Sequence, residues 1–245
     1  MKLILDNVVK SFDEKEVIKG ATFEFESGYI YGLLGRNGVG KTTLFNLINE
    51  DLKADSGVIS VEDEKVRAIE AGDIGYVLST PIVPDFLTGR EFLKFFIDIN
   101  KGQIVDLKTY DEYYDIVEIA PEDRDRLIKD YSHGMKNKMM MLLNIISNPP
   151  IWLLDEPLTS FDVVVADEMK ELLKKMKSDR LIIFSTHIME LALSLCDRIV
   201  LLKDGRLNML EQGEMTREEF EDYIIKILKD EKNDNDTEGE TGRVL

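Results

Sequence analysis

The stretch of sequence that decides the fold is Gly35-Arg36-Asn37-Gly38-Val39-Gly40-Lys41-Thr42-Thr43. It fits the phosphate-loop pattern G-x-x-x-x-G-K-[ST], with an apolar run at residues 29–34 before it and a helical pattern after it. Glycines let backbone N–H groups curve around a phosphate, and the N-terminus of the following helix adds a positive dipole end. The alternative, a glycine-rich turn closed by a threonine cap, does not explain why loop and context agree. The loop therefore predicts a binding site for nucleotide phosphates.

The side chains of this loop have separate expected roles. Lys41 should reach the β- and γ-phosphates, the Thr42 hydroxyl should bind Mg²⁺, and Thr43 should bind the α-phosphate. A nucleotide and Mg²⁺ are therefore the expected ligands of the loop. The predicted nucleotide-binding residues here are Gly35, Asn37, Gly38, Gly40, Lys41, Thr42 and Thr43.

A second apolar strand, at residues 151–154, ends in two carboxylates, Asp155 and Glu156. Phosphate-loop enzymes need an acidic residue to complete the metal site, and Asp155 is the candidate. Glu156 would face the γ-phosphate and act as the general base that polarises the attacking water. Taken alone, this pattern is equally typical of a strand-to-turn boundary. Together with the phosphate loop it predicts a metal-dependent site for nucleotide hydrolysis.

The composition favours a folded protein that does not bind nucleic acid. The chain has 245 residues, 44% of them hydrophobic, enough for one large α/β domain or two small ones. Its formal net charge of -17 repels nucleic-acid phosphates. The single cysteine, Cys196, can form neither an intramolecular disulfide nor a multi-cysteine metal site, and we expect a buried, unreactive thiol. The sequence contains no signal-peptide core and no run of about twenty apolar residues, so we expect a cytoplasmic chain.

The order of apolar segments predicts an α/β fold with a P-loop NTPase core and a mostly parallel sheet. An antiparallel β region at residues 3–9 and 17–25 precedes this core. Residues 85–148 are mainly helical in pattern and interrupt the strand–helix order, which indicates an inserted helical lobe. We expect one nucleotide-binding domain over residues 1–229 and an acidic, disordered tail over residues 230–245. The other predicted strands cover residues 74–77, 151–154, 181–184 and 199–202.

The inserted lobe should open with a helix whose start is marked by a capping box of Thr88 and Glu91. Aromatic and aliphatic residues then recur at the spacing of one helix face. We expect this stripe to lie in the core of the lobe rather than on a binding surface. Its members are Phe92, Phe95, Phe96 and Ile99.

With these motifs in place, the chain up to about Gly213 resembles the nucleotide-binding subunit of ABC transporters. The resemblance implies that the nucleotide is ATP and that Phe12 stacks on its adenine. Tyr131-Ser132-His133-Gly134-Met135 stands at the place of the family signature LSGGQ and departs from it at three positions. The resemblance implies that the Ser132 hydroxyl and the Gly134 N–H bind the γ-phosphate of ATP held by an opposite subunit. Ser132 is also a suitable N-cap for an ordinary helix.

Three further positions take their expected roles from the same resemblance. Residues 158–162 correspond to the D-loop, which crosses the dimer interface, and Asp162 is its acidic residue. His187 stands at the switch-histidine position, where it would contact the γ-phosphate and orient Glu156. Where the family has a glutamine that touches Mg²⁺, this chain has Ser79, so a bridging water should replace direct metal contact. The loop of residues 79–87 should still couple the chain to a membrane subunit.

The resemblance thus implies a subunit that binds and hydrolyses ATP and powers transport through a separate membrane-spanning permease subunit. A second ATPase subunit, in a head-to-tail homodimer or heterodimer, would complete each ATP site. The permease would hold the chain at the inner face of the cell membrane. Ser79, Met135 and residues 87–92 are more similar to exporter-type than to importer subunits. The alternatives are a soluble ABC protein acting on ribosomes or DNA, and a regulatory ATP-binding module with little turnover.

Overall fold

The computed structural model describes residues 1–102, 104, 107–158 and 163–236, with the backbone alone at 163–164 and 230–236. Its strands and helices alternate along most of this length, as the sequence predicted. The strands are β1 (Lys2–Phe12), β2 (Lys15–Glu26), β3 (Ile30–Leu34), β4 (Ser56–Glu62), β5 (Val66–Arg67), β6 (Ile74–Val77), β7 (Ile151–Asp155), β8 (Leu181–Thr186), β9 (Arg198–Lys203) and β10 (Arg206–Leu210). The α-helices are α1 (Lys41–Ile48), α2 (Gly89–Asn100), α3 (Tyr110–Ile116), α4 (His133–Ser147), α5 (Val163–Met176), α6 (Met189–Leu195) and α7 (Arg217–Asp236).

The N-terminal part is an antiparallel sheet of order β2-β1-β4-β5. β1 and β2 form a hairpin that closes at the pair Phe12–Lys15, and Asp13 in its turn has a φ of 51°. Aspartate tolerates this left-handed conformation better than most residues. The antiparallel region is therefore confirmed, and it is larger than predicted because β4 pairs with β1 on its other side and β5 pairs with β4.

The second sheet has the order β10-β9-β3-β8-β7-β6 and is parallel from β9 to β6, with β10 antiparallel at its edge. Every residue of β3, β7 and β8 is buried, which explains why these strands are short apolar runs in the sequence. Because β8 lies between β3 and β7, the residues that follow these three strands meet at one edge of the sheet. Such an edge is where open α/β sheets bind their ligands.

The two sheets and α1 enclose the main hydrophobic core. The backbone N–H of Lys19 donates to the Gly205 carbonyl at 2.8 Å and joins the antiparallel sheet to the β9–β10 turn. On the opposite face of the parallel sheet, α4, α5 and α6 cover a second core. Buried members of the first core include Leu3, Phe25, Tyr31, Phe45 and Val200, and those of the second include Met141, Trp152, Leu154, Leu173 and Phe184.

A helical lobe is inserted between β6 and β7, as predicted, and it has a hydrophobic core of its own. The capping box at its first helix is present: the Thr88 hydroxyl accepts from the Glu91 N–H, and the Glu91 carboxylate accepts from the Thr88 N–H. Its helices α2, α3 and α4 contribute to this core. Fully or nearly fully buried members are Leu93, Ile97, Tyr113, Tyr114, Val117, Ile128, Met139 and Leu142.

The prediction of which face of α2 packs in the core is wrong, because the buried face is offset from the predicted one. Leu93 and Ile97 are buried, whereas Phe95 is 57% exposed and Ile99 is 62% exposed. Phe92 and Phe96 lie between these two faces and are partly buried. Apolar residues occur on more than one side of this helix, so their spacing predicts a helix but does not select the face that packs.

The C-terminal helix, α7, was not predicted from the sequence. α7 runs from Arg217 to Asp236, so the backbone of residues 230–236 continues a helix where a disordered tail was expected. Phe220 and Ile224 of this helix pack with residues of β9 and α6. Among residues 230–236 only Glu231 and Lys232 have good helix propensity, so the helical backbone there continues α7 and is not predicted by the local sequence. None of the helices described is both long and apolar enough to cross a membrane.

Candidate active site

The phosphate-loop pattern lies between β3 and α1, and its glycines are required by the backbone. A Cβ at Gly35 would come within 2.7 Å of Val39 Cγ1 and 3.0 Å of the Leu202 carbonyl oxygen. Gly40 is the N-cap of α1 with a φ of 115°, and no side chain caps the helix there. The first turn of α1 therefore directs its backbone N–H groups towards the loop, as an anion site requires.

Lys41 is buried within this loop. Its ammonium group donates to the carbonyl oxygens of Gly35 at 2.8 Å and Arg36 at 3.3 Å, and it lies 3.7 Å from Glu156 Oε1. Burial lowers the pKa of Lys41, and the Glu156 and Asp155 carboxylates oppose that effect. The ammonium group is thus held at the centre of the loop, between the backbone and the predicted catalytic carboxylate.

Thr42 and Asp155 meet as the metal prediction requires. The Thr42 hydroxyl donates to Asp155 Oδ2 at 2.7 Å, and Asp155 is almost fully buried at the end of β7. The pair presents only oxygen atoms, which is the donor chemistry that Mg²⁺ prefers. Over the described ranges, no cluster of three or more His, Cys, Asp or Glu could hold a metal. The residues fit a Mg²⁺ ion that takes its remaining ligands from phosphate oxygens and water, which is the usual arrangement for this ion.

Glu156 and His187 form a contact at the same edge of the sheet. His187 Nδ1 lies 2.7 Å from Glu156 Oε2, so the two carboxylate oxygens of Glu156 face His187 and Lys41 respectively. Glu156 has a φ of 50°, an uncommon conformation for a residue other than glycine, asparagine or aspartate. Strained conformations of this kind concentrate at functional sites.

An open cleft of about 450 Å³ collects most of the predicted nucleotide-binding residues. Phe12 lines it from the end of β1 and is 43% exposed, so its ring is accessible to a ligand. Ser79 also lines the cleft, on the loop that follows β6. Sequence reasoning missed Val17 as a wall of the cleft, because an apolar strand residue carries no signal of its own. The lining residues are Phe12, Val17, Asn37, Gly38, Gly40, Lys41, Thr42, Thr43, Ser79, Asp155 and Glu156.

Ser132 and Gly134 are not brought to this cleft within one chain. They line a separate cleft of about 460 Å³ in the helical lobe, together with His133. Ser132 caps α4, since its hydroxyl accepts from the Met135 N–H at 3.1 Å, so the ordinary N-cap interpretation holds in the single chain. The predicted D-loop residue Asp162 lies outside the described residues.

The chain also matches a known family directly. The family model described as "ABC transporter" matches residues 18–159, which is more than half of the chain. The chain belongs to the ABC transporter family. Membership confirms the predicted ATP-binding, ATP-hydrolysing transport subunit.

Individual ABC proteins support the same assignment. The uncharacterised ABC transporter ATP-binding protein YhcH of Bacillus subtilis is 30% identical over 216 residues, which are 84% of this chain and 69% of that protein. A second uncharacterised ABC transporter ATP-binding protein, MJ1023 of Methanocaldococcus jannaschii, is 29% identical over 255 residues, covering 95% of this chain and 92% of the relative. The dimeric structure of the ATP-binding cassette MJ0796 in a post-hydrolysis state, bound to ADP and Pi, superposes with a TM-score of 0.72 at 22% identity. That superposition covers 85% of this chain and 99% of the other. At this identity the structure supports the predicted α/β fold.

Proposed function

We propose that this ABC subunit hydrolyses ATP at composite sites, each formed by the cleft of one subunit and the Ser132–Gly134 segment of another. The observation that carries the proposal is the meeting of Lys41, Thr42 and Asp155 with the contact between Glu156 and His187. All five lie at one edge of the parallel sheet, at or just beyond the ends of β3, β7 and β8.

Each of these groups has a step to perform. The Lys41 ammonium and the N–H groups of the loop bind the β- and γ-phosphates and offset the charge that develops there. Glu156 takes the proton of the attacking water, and its contacts to His187 and Lys41 fix the direction of its carboxylate. Thr42 and Asp155 would hold Mg²⁺, which when bound neutralises phosphate charge. Ser79 lines the same cleft and would contact Mg²⁺ through a bridging water.

The separation of the two clefts supports a site shared between subunits. Ser132 and Gly134 lie at the start of α4, a helix of fifteen residues, on the lobe and away from Lys41. A second ATPase subunit in head-to-tail orientation would bring its own Ser132 hydroxyl and Gly134 N–H to the γ-phosphate. Asp162 would lie at the interface between the two. The subunits are identical copies or two related chains.

The lobe offers a surface for a membrane-spanning partner. Exposed apolar side chains occur on the loop that leads into α2 and on the solvent face of α2 itself. They are Ile82 (73% exposed), Phe86 (80%), Phe95 (57%) and Ile99 (62%). Phe95 and Ile99 are four residues apart and share one face of α2, and exposed apolar patches mark protein interaction sites. We assign this surface, called here the α2 surface, to a cytoplasmic segment of the permease subunit, which would hold the chain at the inner face of the cell membrane.

The composite site is tested by the nucleotide dependence of assembly. Glu156→Gln removes the base while keeping the size of the side chain, so bound ATP should persist. Sedimentation of this variant should show a dimer with ATP and Mg²⁺ and a monomer without nucleotide. Adding Ser132→Arg to it should prevent the dimer by placing bulk and charge at the interface. A single species in both conditions, at high protein concentration too, would contradict the shared site.

A further inference from the structure

Ser185 is a buried polar residue that the roles above do not use. It lies in β8, directly opposite Asp155 of β7 in the parallel ladder, and its exposure is 0%. The residues of β8 that precede it, Leu181 to Phe184, are apolar, and the buried Thr186 follows it. A polar residue in the interior of such a strand is expected only where it satisfies a specific hydrogen-bonding partner.

The Ser185 hydroxyl has two hydrogen-bonding partners, the last residue of β7 and the residue that follows it. It donates to Asp155 Oδ1 and accepts from the backbone N–H of Glu156 at 3.1 Å. The same N–H lies 3.2 Å from the Ser185 carbonyl oxygen, so it is shared between two oxygens of one residue. A hydroxyl has one proton to donate and two lone pairs to accept with, and here it uses both functions on adjacent residues.

The consequence for Asp155 is a fixed carboxylate. Oδ1 accepts from Ser185 and Oδ2 accepts from the Thr42 hydroxyl at 2.7 Å. With one donor on each oxygen, the carboxylate plane cannot rotate without breaking a hydrogen bond. Oδ2 is therefore held on the side of Thr42, where the proposed Mg²⁺ site lies.

The consequence for Glu156 is a fixed backbone. Its φ of 50° requires support from its surroundings, and its N–H donates to the hydroxyl and carbonyl oxygens of Ser185. The backbone direction sets where the side chain leaves the strand, and thus the reach of the carboxylate to His187. One hydroxyl links the metal-site carboxylate to the base.

We infer that Ser185 is a positioning residue for ATP hydrolysis: its hydroxyl orients the Asp155 carboxylate towards the metal site and holds Glu156 in the conformation of a base. The inference rests on the proposed roles of Asp155 and Glu156. Groups that orient metal ligands through hydrogen bonds typically contribute on the order of 10–100-fold to metal affinity or activity.

The test compares Ser185→Ala and Ser185→Cys, which remove or weaken the donor, with Ser185→Thr, which keeps it. Ser60→Ala is the matched control, because Ser60 is a nearly buried serine of β4 in the other sheet. Two quantities are measured for each: ATPase turnover as a function of Mg²⁺, and ATP affinity by calorimetry with Mg²⁺ and with EDTA. Affinity is measured in the Glu156→Gln background, so that ATP stays intact. Thermal unfolding of each variant monitors folding.

Ser185→Ala should lower turnover on the order of tenfold to a hundredfold and raise the Mg²⁺ concentration needed for half-maximal rate. It should reduce the gain in ATP affinity that Mg²⁺ provides, while affinity in EDTA stays within about twofold of the parent, because the phosphate loop is untouched. Ser185→Cys should act in the same direction, and Ser185→Thr should keep both quantities within about threefold.

A Ser185→Ala protein that matches Ser60→Ala in turnover and Mg²⁺ dependence overturns the inference. So does a loss of turnover that follows thermal stability alone, with the Mg²⁺ dependence unchanged and no rescue by Ser185→Thr. Asp155→Asn and Glu156→Gln, assayed in parallel, separate a failure of the proposed function from a failure of the role of Ser185. If they remain active, the proposed function fails. If they are inactive while Ser185→Ala is normal, only the role of Ser185 fails.

Discussion

The two faces of α2 give a prediction that separates folding from partner binding. Leu93 is 0% exposed in the core of the helical lobe, whereas Phe95, two residues later, is 57% exposed. Truncation of a buried leucine to alanine costs about 2–5 kcal/mol of unfolding free energy, through lost burial and the cavity left behind. Surface substitutions usually stay within about 0.5 kcal/mol. Leu93→Ala should therefore be destabilising, and Phe95→Ser nearly neutral.

The expected shifts are large enough to measure. In a domain of this size, 1 kcal/mol moves Tm by about 2–4 °C, so a loss of about 3 kcal/mol lowers Tm by about 6–12 °C. Serine and phenylalanine have similar helix propensities, so Phe95→Ser and Ile99→Ser change the surface of α2 and not its tendency to form a helix. Thermal unfolding of the purified chain gives the Tm, and ATPase rate reports the nucleotide site.

The tagged chain is then purified from detergent-solubilised membranes. The amount of permease recovered with it measures binding at the α2 surface. The Phe95→Ser, Ile99→Ser double variant should keep Tm and basal ATPase but lose most of the permease. Val66→Ser changes an exposed apolar residue of β5 in the antiparallel sheet. This control variant should retain the permease. Normal recovery with the double variant, or a drop in Tm as large as that of Leu93→Ala, would refute the assignment of the two faces.

Two predictions concern the nucleotide cleft. Lys41→Ala should weaken ATP binding at least tenfold in calorimetry, because it removes the buried ammonium of the loop, while Lys65→Ala on an exposed turn should not; equal affinity of both variants would be the contrary result. Ser79→Ala should leave basal ATPase within about threefold, roughly 0.6 kcal/mol in barrier, because a water-mediated contact contributes little. In a Mg²⁺ titration, Thr42→Ala and Asp155→Asn should be far more damaging, and a loss in Ser79→Ala as deep as in Asp155→Asn would show that Ser79 binds the metal itself.

Local patterns predicted much of the fold and most of the residues in the nucleotide cleft. The phosphate loop and the carboxylates after β7 are recognisable because their chemistry needs fixed residue types at fixed spacing. β3, β7 and β8 are recognisable because strands buried on both faces are continuous apolar runs. Lys41, Thr42, Asp155 and Glu156 accordingly meet as expected.

What the sequence left open depends on contacts between distant segments. β4 is half exposed and lacks a continuous apolar run, so its pairing with β1 was not predicted. The packed face of α2 is selected by α3 and α4, which periodicity in α2 does not include. Ser185 was missed because its role comes from the register of β8 on β7. The available signal was the polar pair Ser185 and Thr186 between the apolar residues of β8 and His187.

Glu156 is the proposed base of the ATP-hydrolysing site, and one variant tests this role most directly. Glu156→Gln should bind ATP with an affinity within about twofold of the parent, yet turn it over at least tenfold more slowly, because an amide cannot take the proton of the attacking water. Glu190→Gln, an exposed glutamate on the nearby α6, should keep full turnover. Near-normal hydrolysis by Glu156→Gln would contradict the account.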